Sequence, residues 1–138
     1  MFKEPDERIK SKDLRVILIE DSLHIGEWIR DSIGEIQGLE LVDWNTGGEH
    51  AVSRVQDKKP DIVILDLNLP GTRGLDILQQ LRSNGAKPLI IVFTINEQAR
   101  KKALEMGADY FFDKAREDQD LLKTLKTLGR LNLNHVLI

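Results

Sequence analysis

The stretch Asp61-Ile62-Val63-Ile64-Leu65-Asp66-Leu67-Asn68-Leu69-Pro70-Gly71 decides the fold that this sequence predicts. Its centre is a continuous apolar run rich in β-branched residues, and an acid follows directly. An apolar run without polar alternation is typical of a strand that is covered on both faces, as in a parallel sheet. Pro70-Gly71 then predicts a sharp turn, which we expect to leave the Asp66 carboxylate exposed above the sheet.

Similar apolar runs recur along the chain, and helical patterns lie between them. Strands are predicted at 16–19, 39–44, 62–65, 89–93 and 110–112, and the alternation within 39–44 indicates an edge strand. Apolar residues at helical spacing predict helices at 25–36, 51–55, 75–81, 99–106 and 121–128. These helices are expected to stop at Gly38, Lys59-Pro60, Asn84-Gly85, Gly107 and Gly129.

Five successive strand–helix units determine the fold class. Connections of this length between parallel strands are right-handed, so helices cover both faces of the sheet. We therefore predict a doubly wound α/β fold: a five-stranded parallel sheet in the flavodoxin-like order 2-1-3-4-5. Residues 1–13 are expected to form a flexible charged tail, 14–130 the domain, and 131–138 an apolar C-terminal extension beyond the fifth helix.

Length and composition exclude several classes of protein. The 138 residues suit one domain, and 20 basic against 23 acidic side chains create no strong positive field for nucleic acid or anionic lipid. Because the sequence has no cysteine, disulfides, thiolate metal sites and thiol catalysis are excluded. No apolar run approaches the ~20 residues of a membrane span, and residues 1–13 lack the apolar core of a secretory signal. We expect a cytoplasmic protein.

Polar residues stand where the predicted strands end. Glu20 and Asp21 follow the first strand, Asp66 the third, Thr94 closes the fourth, and Lys114 follows the fifth. Ligands of an open parallel sheet bind outside the carboxyl ends of its strands, so these side chains are expected to meet at one edge. The sequence therefore predicts a site with three carboxylates, one hydroxyl and one ammonium group.

This collection of charges points to a metal ion. Three crowded carboxylates repel one another, and a single lysine does not neutralise them. A hard divalent cation would, and Mg²⁺ suits a site with few carboxylates, several waters and a phosphate oxygen. The alternative is that Asp21 and Asp66 only cap the helices that follow them. Capping accounts neither for Lys114 nor for the doubled acid Glu20-Asp21.

Taken together, these motifs closely resemble the receiver domain of bacterial two-component response regulators, in particular stand-alone members similar to the chemotaxis regulator. The resemblance covers residues 14–128. The residues that carry it are Glu20-Asp21, the run from Asp61 to Gly71, Gly74, Thr94, the stretch Gly107-Ala108-Asp109-Tyr110-Phe111, and Lys114. The resemblance implies a signalling switch that catalyses only its own phosphorylation and dephosphorylation.

The resemblance also implies how the acidic residues act. Asp66 would be the phosphoacceptor, taking its phosphoryl group from a histidine kinase, a histidine phosphotransfer protein or a small phosphodonor. Asp21, Asp66 and the backbone carbonyl of Asn68 would bind Mg²⁺. Glu20 would hold a metal-bound water, and it is one methylene longer than the aspartate found in many members.

Three further residues would sense the phosphoryl group. Lys114 and Thr94 would each contact a phosphoryl oxygen, and Phe111 would change rotamer as Thr94 moves. The output would be contact with another protein, homodimerisation or onward phosphotransfer, without direct contact to nucleic acid or membrane. We expect this output at the face of the fourth helix, fifth strand and fifth helix, with the apolar extension close by.

Two positions depart from the family pattern. Ile95 replaces the small residue that generally follows the threonine, and its branched side chain would narrow access for water and phosphodonors. Ala115 replaces a proline that commonly follows the lysine in a cis linkage. A cis bond before a non-proline costs about 2.5–4 kcal/mol, so either the Lys114–Ala115 bond is trans or the site stores strain.

Other functions remain open at this point. The chain could be the receiver portion of a longer DNA-binding regulator, or a degenerate receiver that works without phosphate. An aspartyl phosphatase similar to the haloacid dehalogenases would need a second acid where Asn68 stands, as well as a cap. A flavodoxin-like electron carrier would need a phosphate-binding loop where Glu20-Asp21 would repel phosphate.

Overall fold

The computed structural model describes residues 12–85 and 87–137, with side chains described up to Asn134. Its elements in chain order are β1 (Leu14–Ile19), α1 (Leu23–Gly34), β2 (Leu39–Asn45), α2 (Ala51–Lys58), β3 (Ile62–Leu65), β4 (Asn68–Leu69), β5 (Thr72–Arg73), α3 (Gly74–Ser83), β6 (Leu89–Thr94), a 3₁₀ turn (Glu97–Ala99), α4 (Arg100–Glu105), β7 (Tyr110–Asp113) and α5 (Asp118–Leu137).

The main sheet has five strands in the order β2-β1-β3-β6-β7, and every neighbouring pair is parallel. The predicted fold class and strand order are confirmed, because β6 and β7 are the predicted fourth and fifth strands. β1 and β3 lie side by side, with Ile19 opposite Leu65. The acids that follow these two strands are therefore neighbours at the edge of the sheet.

Helices on both faces of the sheet produce two apolar cores. Alternate strand residues point to opposite faces: Ile17 and Ile19 belong to one core, and Val16 and Leu18 to the other. Helices α2, α3 and α4 cover the first core, and α1 and α5 cover the second. Burial on both sides explains why the central strands are apolar at every position.

A short hairpin after β3 was not predicted. β4 and β5 pair antiparallel around Pro70 and Gly71, and Gly71 has a φ of 73° that favours glycine. At Gly74, where α3 begins, a Cβ atom would lie 2.3 Å from the Leu67 Cα. The hairpin therefore folds back onto the segment after Asp66, and only glycine fits at that contact.

The expectation that the fifth helix ends before Gly129 is wrong. α5 continues to Leu137, so the described part of the predicted extension, 131–137, is helix. Gly129 is a packing residue instead of a helix stop, because a Cβ there would lie 2.5 Å from the Gln37 carbonyl oxygen. Most of the predicted tail lies outside the described residues, as does Ile138. Within the described part of the chain, we find no helix with the length and apolar character that crossing a membrane requires.

Candidate functional site

The carboxyl ends of β1, β3, β6 and β7 bring the predicted site residues to one edge of the sheet. Glu20, Asp21 and Asp66 each place a carboxylate oxygen within 4.8 Å of the others. Lys114 reaches the same point from the end of β7 and contacts two of these acids. The structure thus assembles residues that are up to 94 positions apart in the sequence.

Hydrogen bonds fix both the backbone and the carboxylate of Asp66. Its backbone N–H donates to the Ile19 carbonyl at 3.0 Å. Its Oδ1 accepts from the Asn68 N–H at 3.0 Å, and its Oδ2 accepts from Lys114 Nζ at 2.8 Å. Asp66 is only 3% exposed. The expectation of an exposed carboxylate is therefore wrong, because the Asn68 amide and the Lys114 side chain cover it.

Glu20 is the most deeply buried acid of the site. Its carboxylate accepts from the Ser22 N–H at 3.1 Å and from Lys114 Nζ at 2.9 Å. Burial raises the pKa of Glu20 to about 7; Lys114 opposes this shift, and the charge of Asp66 adds to it. Near neutral pH, Glu20 is therefore protonated in part of the metal-free molecules.

Lys114 is positioned by its backbone as well as by its charge. Its N–H donates to the Thr94 carbonyl at 2.9 Å, and its Nζ lies 5.9 Å from the centre of the Phe93 ring. Burial by itself would lower the pKa of Lys114, but hydrogen bonds and charge from Asp66 and Glu20 raise it. The described residues include no cis peptide bond, so Lys114–Ala115 is trans. Without the usual proline, the sequence allowed either a trans bond or a strained cis bond. The structure has the trans bond, and Lys114 still contacts Glu20 and Asp66.

Asp21 is the exposed acid of the three. It borders an open cleft of about 560 Å³ whose other wall is the segment 67–73. Hard oxygen donors beside an open cleft suit Mg²⁺, which keeps several of its waters. One ammonium group faces three carboxylates, so a divalent cation would balance the remaining charge. The donor set therefore fits the predicted metal.

The residues predicted to sense a phosphoryl group lie on β6 and β7. Thr94 is fully buried, and its Oγ1 accepts from the Asn96 N–H at 3.4 Å. Phe111 pairs with Val92 across these two strands and is buried in the core that α4 covers. Ile95 points outward and is 67% exposed. Its side chain is therefore largely in contact with solvent.

Trp44 supports the site, although the sequence does not indicate this role. Its Nε1 donates to the Glu20 carbonyl at 2.9 Å and so fixes the backbone between β1 and α1. A Cβ at Gly26 would lie 1.8 Å from the Trp44 ring, so α1 needs glycine there. The sequence signal for this contact is a glycine, Gly26, within an apolar helical pattern. The sequence does not show that the residue packed against it is Trp44, 18 positions further on.

Comparison with known proteins agrees with this geometry. The model of the response regulator receiver domain family matches residues 16–126. The nitrate/nitrite response regulator protein NarL of Escherichia coli strain K12 is 32% identical over 112 residues, which are 80% of this chain and 52% of NarL. A protein-glutamate methylesterase/protein-glutamine glutaminase of Treponema denticola is 28% identical over 128 residues, 88% of this chain and 34% of that protein.

A solved structure gives the same result for the fold. The LuxR-family two-component response regulator from Aurantimonas sp. SI85-9A1 matches with a TM-score of 0.77 and 25% identity, covering 86% of each chain.

The doubly wound sheet, with acids and a lysine at its carboxyl edge, defines a receiver module of two-component signalling. The chain belongs to the response regulator receiver domain family. Members of this family are generally signalling modules and not enzymes. The chain spans about half of NarL and about a third of the methylesterase, so the activities of those whole proteins are not carried over.

Proposed function

We propose that this chain is a phospho-accepting switch in which Asp66 takes a phosphoryl group. The observation that carries the proposal is the contact of Lys114 Nζ with Asp66 Oδ2 at 2.8 Å, beside two further acids within 4.8 Å. A nucleophilic carboxylate, an adjacent cation and a hard-metal donor set are the parts that phosphoryl transfer needs. An ion pair that served stability alone would not require the exposed third acid Asp21.

The reaction is an in-line displacement at phosphorus. A carboxylate oxygen of Asp66 forms a bond to phosphorus while the P–N bond of a phosphohistidine, or the P–O bond of acetyl phosphate, breaks. Hydrolysis reverses the modification: a water oxygen bonds to phosphorus, the Asp66 O–P bond breaks, and inorganic phosphate leaves. Catalysis consists of positioning and charge stabilisation.

The chain's own residues supply most of these effects. Lys114 stabilises negative charge on a phosphoryl oxygen, and the Thr94 hydroxyl donates to another. Asp21, Asp66 and the Asn68 carbonyl would hold Mg²⁺, and Glu20 would hold one of its waters. When bound, Mg²⁺ supplies positive charge to the transferring oxygens.

The partners follow from this chemistry. The phosphodonor is a histidine kinase or a histidine phosphotransfer protein, and the chain acts in the cytoplasm. The output is contact with another protein, onward phosphotransfer or a phosphorylation-dependent homodimer. The complete set of Asp66, Thr94 and Lys114 argues against a degenerate receiver. Contact with DNA through an attached domain remains the alternative output.

The test is phosphorylation with acetyl phosphate and Mg²⁺, followed on a phosphate-affinity gel. Wild type is expected to shift, and Asp66→Asn, which keeps size and folding but loses the nucleophile, is not. Asp76→Asn is the matched control, because Asp76 is an exposed aspartate in the first turn of α3. A shift in Asp66→Asn equal to that of wild type would refute the acceptor.

A further inference from the structure

The turn between β7 and α5, residues 113–117, carries Lys114 into the site and is fully hydrogen-bonded. The N–H groups of Asp113 and Ala115 donate to side chains at 3.0 and 2.8 Å. The N–H of Lys114 donates to the Thr94 carbonyl at 2.9 Å. Those of Arg116 and Glu117 donate to the Asp113 carbonyl at 3.3 and 2.7 Å. Each backbone donor of the turn therefore has a partner.

Ala115 takes part in this arrangement because it is not proline. Its N–H donates to Oδ1 of the buried Asp113 side chain, a bond that a proline ring could not form. The usual family proline fixes the backbone by its ring. Here the backbone is fixed by hydrogen bonds to Asp113 and Glu117.

Glu117 is the second support, and Arg100 holds it in place. Glu117 Oε1 accepts from the Asp113 N–H at 3.0 Å and also contacts Arg100 Nη2. Glu117 is only partly buried, so without a partner its carboxylate would rotate into water and release that N–H. The support of the turn therefore depends on a residue of a different helix.

Arg100 itself has little freedom. Its Nε and Nη2 donate to the Glu97 carboxylate at 2.7 and 2.9 Å. Its Nη1 donates to the Phe111 carbonyl at 3.1 Å, and the guanidinium lies 4.7 Å above the Phe111 ring. A planar guanidinium with several simultaneous partners loses less freedom per bond than a lysine would. It therefore presents a fixed contact to Glu117.

We propose that Arg100 is a positioning residue that holds Lys114 against the acceptor through Glu117 and Asp113. The proposal rests on the proposed function, since the reaction it serves is phosphorylation of Asp66. Lys114 Nζ contacts Asp66 at 2.8 Å, and small displacements of a charge-stabilising group slow phosphoryl transfer strongly. In this chain, α4 thus takes over the task that the family assigns to proline.

The first experiment measures the rate of phosphorylation by acetyl phosphate at saturating Mg²⁺. Arg100→Gln is expected to lower this rate by about tenfold, within the range that misplacement of a catalytic group produces. Arg100→Lys keeps the positive charge but loses the planar guanidinium. Its rate of phosphorylation is expected to lie between those of Arg100→Gln and wild type. The matched control is Arg30→Gln, because Arg30 is an exposed arginine of α1 that pairs with Glu27 and Asp31, and this variant is expected to keep the rate of wild type. An equal rate in wild type and Arg100→Gln would overturn the proposal.

A double-variant cycle tests whether Arg100 acts through Glu117. In a Glu117→Ala background, Arg100→Gln is expected to cause little further loss of rate, because its target is already gone. Fully additive losses would mean that Arg100 does not act through Glu117, and would overturn the proposed route.

Amide hydrogen exchange gives a readout that does not depend on phosphorylation. In Arg100→Gln the amides of Asp113 and Ala115 are expected to exchange faster, while those of α1 and β2 keep their rates. Unchanged exchange at Asp113 and Ala115 would overturn the proposal even if no protein were phosphorylated. Failure of wild type to accept phosphate would instead refute the proposed function, and the exchange result would still decide whether Arg100 holds the turn.

Discussion

The site depends on a single lysine that serves two buried acids. Lys114 contacts both Glu20 and Asp66, yet their three charges sum to −1 before Asp21 is counted. Burial, with a smaller contribution from the charge of Asp66, raises the pKa of Glu20 to about 7, so protonation of Glu20 relieves part of this excess. At the level of single residues, therefore, proton uptake and metal binding are two ways of relieving the same repulsion.

The metal-free protein is expected to lose stability as pH rises from about 5 to 8. The pKa of Glu20 is raised in the folded state, so between its unfolded and folded values the native protein binds more protons than the unfolded chain. Stability then falls with rising pH, by roughly 1–3 kcal/mol in total. Urea unfolding in EDTA at several pH values measures this loss.

Glu20→Gln is expected to flatten that dependence on pH, because it removes the titrating group but keeps the side chain's size. Glu27→Gln, at an exposed glutamate of α1, serves as the control and should keep the slope of wild type. A slope that survives in Glu20→Gln would mean that another group is responsible.

Ile95 is expected to lengthen the life of the phosphorylated state. Its exposed side chain follows Thr94 directly, and we expect a hydrolytic water to approach Asp66 past it. Phospho-Asp66 should therefore decay about tenfold faster in Ile95→Ala, a change of about 1.4 kcal/mol in the barrier. Loss of label after removal of the phosphodonor, with Mg²⁺ saturating in both proteins, measures the two rates. Equal rates would show that Ile95 does not limit water.

At the scale of elements, the apolar runs were sufficient to predict the sheet. Each run of β1, β3 and β6 is buried on both faces, and that requirement is visible in the sequence. The role of Gly129 could not be predicted, because a glycine that ends a helix and a glycine that allows close packing look alike in a sequence. Only the position of Gln37, more than 90 residues earlier, distinguishes them.

The same limit applies to the site. The ends of the strands predicted which acids and which lysine would meet, because parallel topology brings strand ends together. They did not predict that Asp66 is covered by the Asn68 amide, since that contact depends on the β4–β5 hairpin. Nor did they predict Arg100 and Glu117, whose contact depends on how α4 approaches the start of α5.

Gly129→Ala is expected to destabilise the protein, although alanine favours a helix more than glycine does. The added Cβ would lie 2.5 Å from the Gln37 carbonyl oxygen and push α5 outward, at a cost of about 1–3 kcal/mol. Gly34→Ala is the matched control, because it changes a helical glycine whose Cβ would meet nothing within 4 Å. It should be neutral or stabilise by about 0.4–1 kcal/mol. Urea unfolding compares the two, and equal effects would contradict the packing explanation.

At the scale of the whole molecule, the site and the predicted output face share β7, because β7 belongs to that face and Lys114 follows it directly. Arg100 and Phe111 link α4 to β7, and Glu117 continues the link to α5. Two exposed apolar side chains, Leu104 and Tyr110, lie on the face formed by α4, β7 and α5. A change at Asp66 could therefore alter this face without moving the far side of the sheet.

Activation is expected to make this face associate, either with a second copy or with another protein. Sedimentation with and without beryllofluoride tests the homodimer, which should appear only with the activator. Leu104→Arg is expected to prevent it, because a charge would replace an exposed apolar contact. Leu23→Arg, at an exposed leucine of α1, should not. If mass, partner binding and α4 amide exchange all stay unchanged on activation, the output face is placed wrongly.

The extended α5 has a topological consequence. Asn132 Nδ2 donates to the Lys12 carbonyl at 2.9 Å, so two residues 120 positions apart meet beside the amino ends of β1 and β2. The path from Lys12 to Asn132 is therefore almost a closed ring. Closing so long a ring costs only about 0.6 kcal/mol more than closing one of half the length. A circularly permuted gene that joins Asn132 to Lys12 by a short linker is thus expected to encode the same sheet, and the join would lie on the opposite side of the molecule from Asp66.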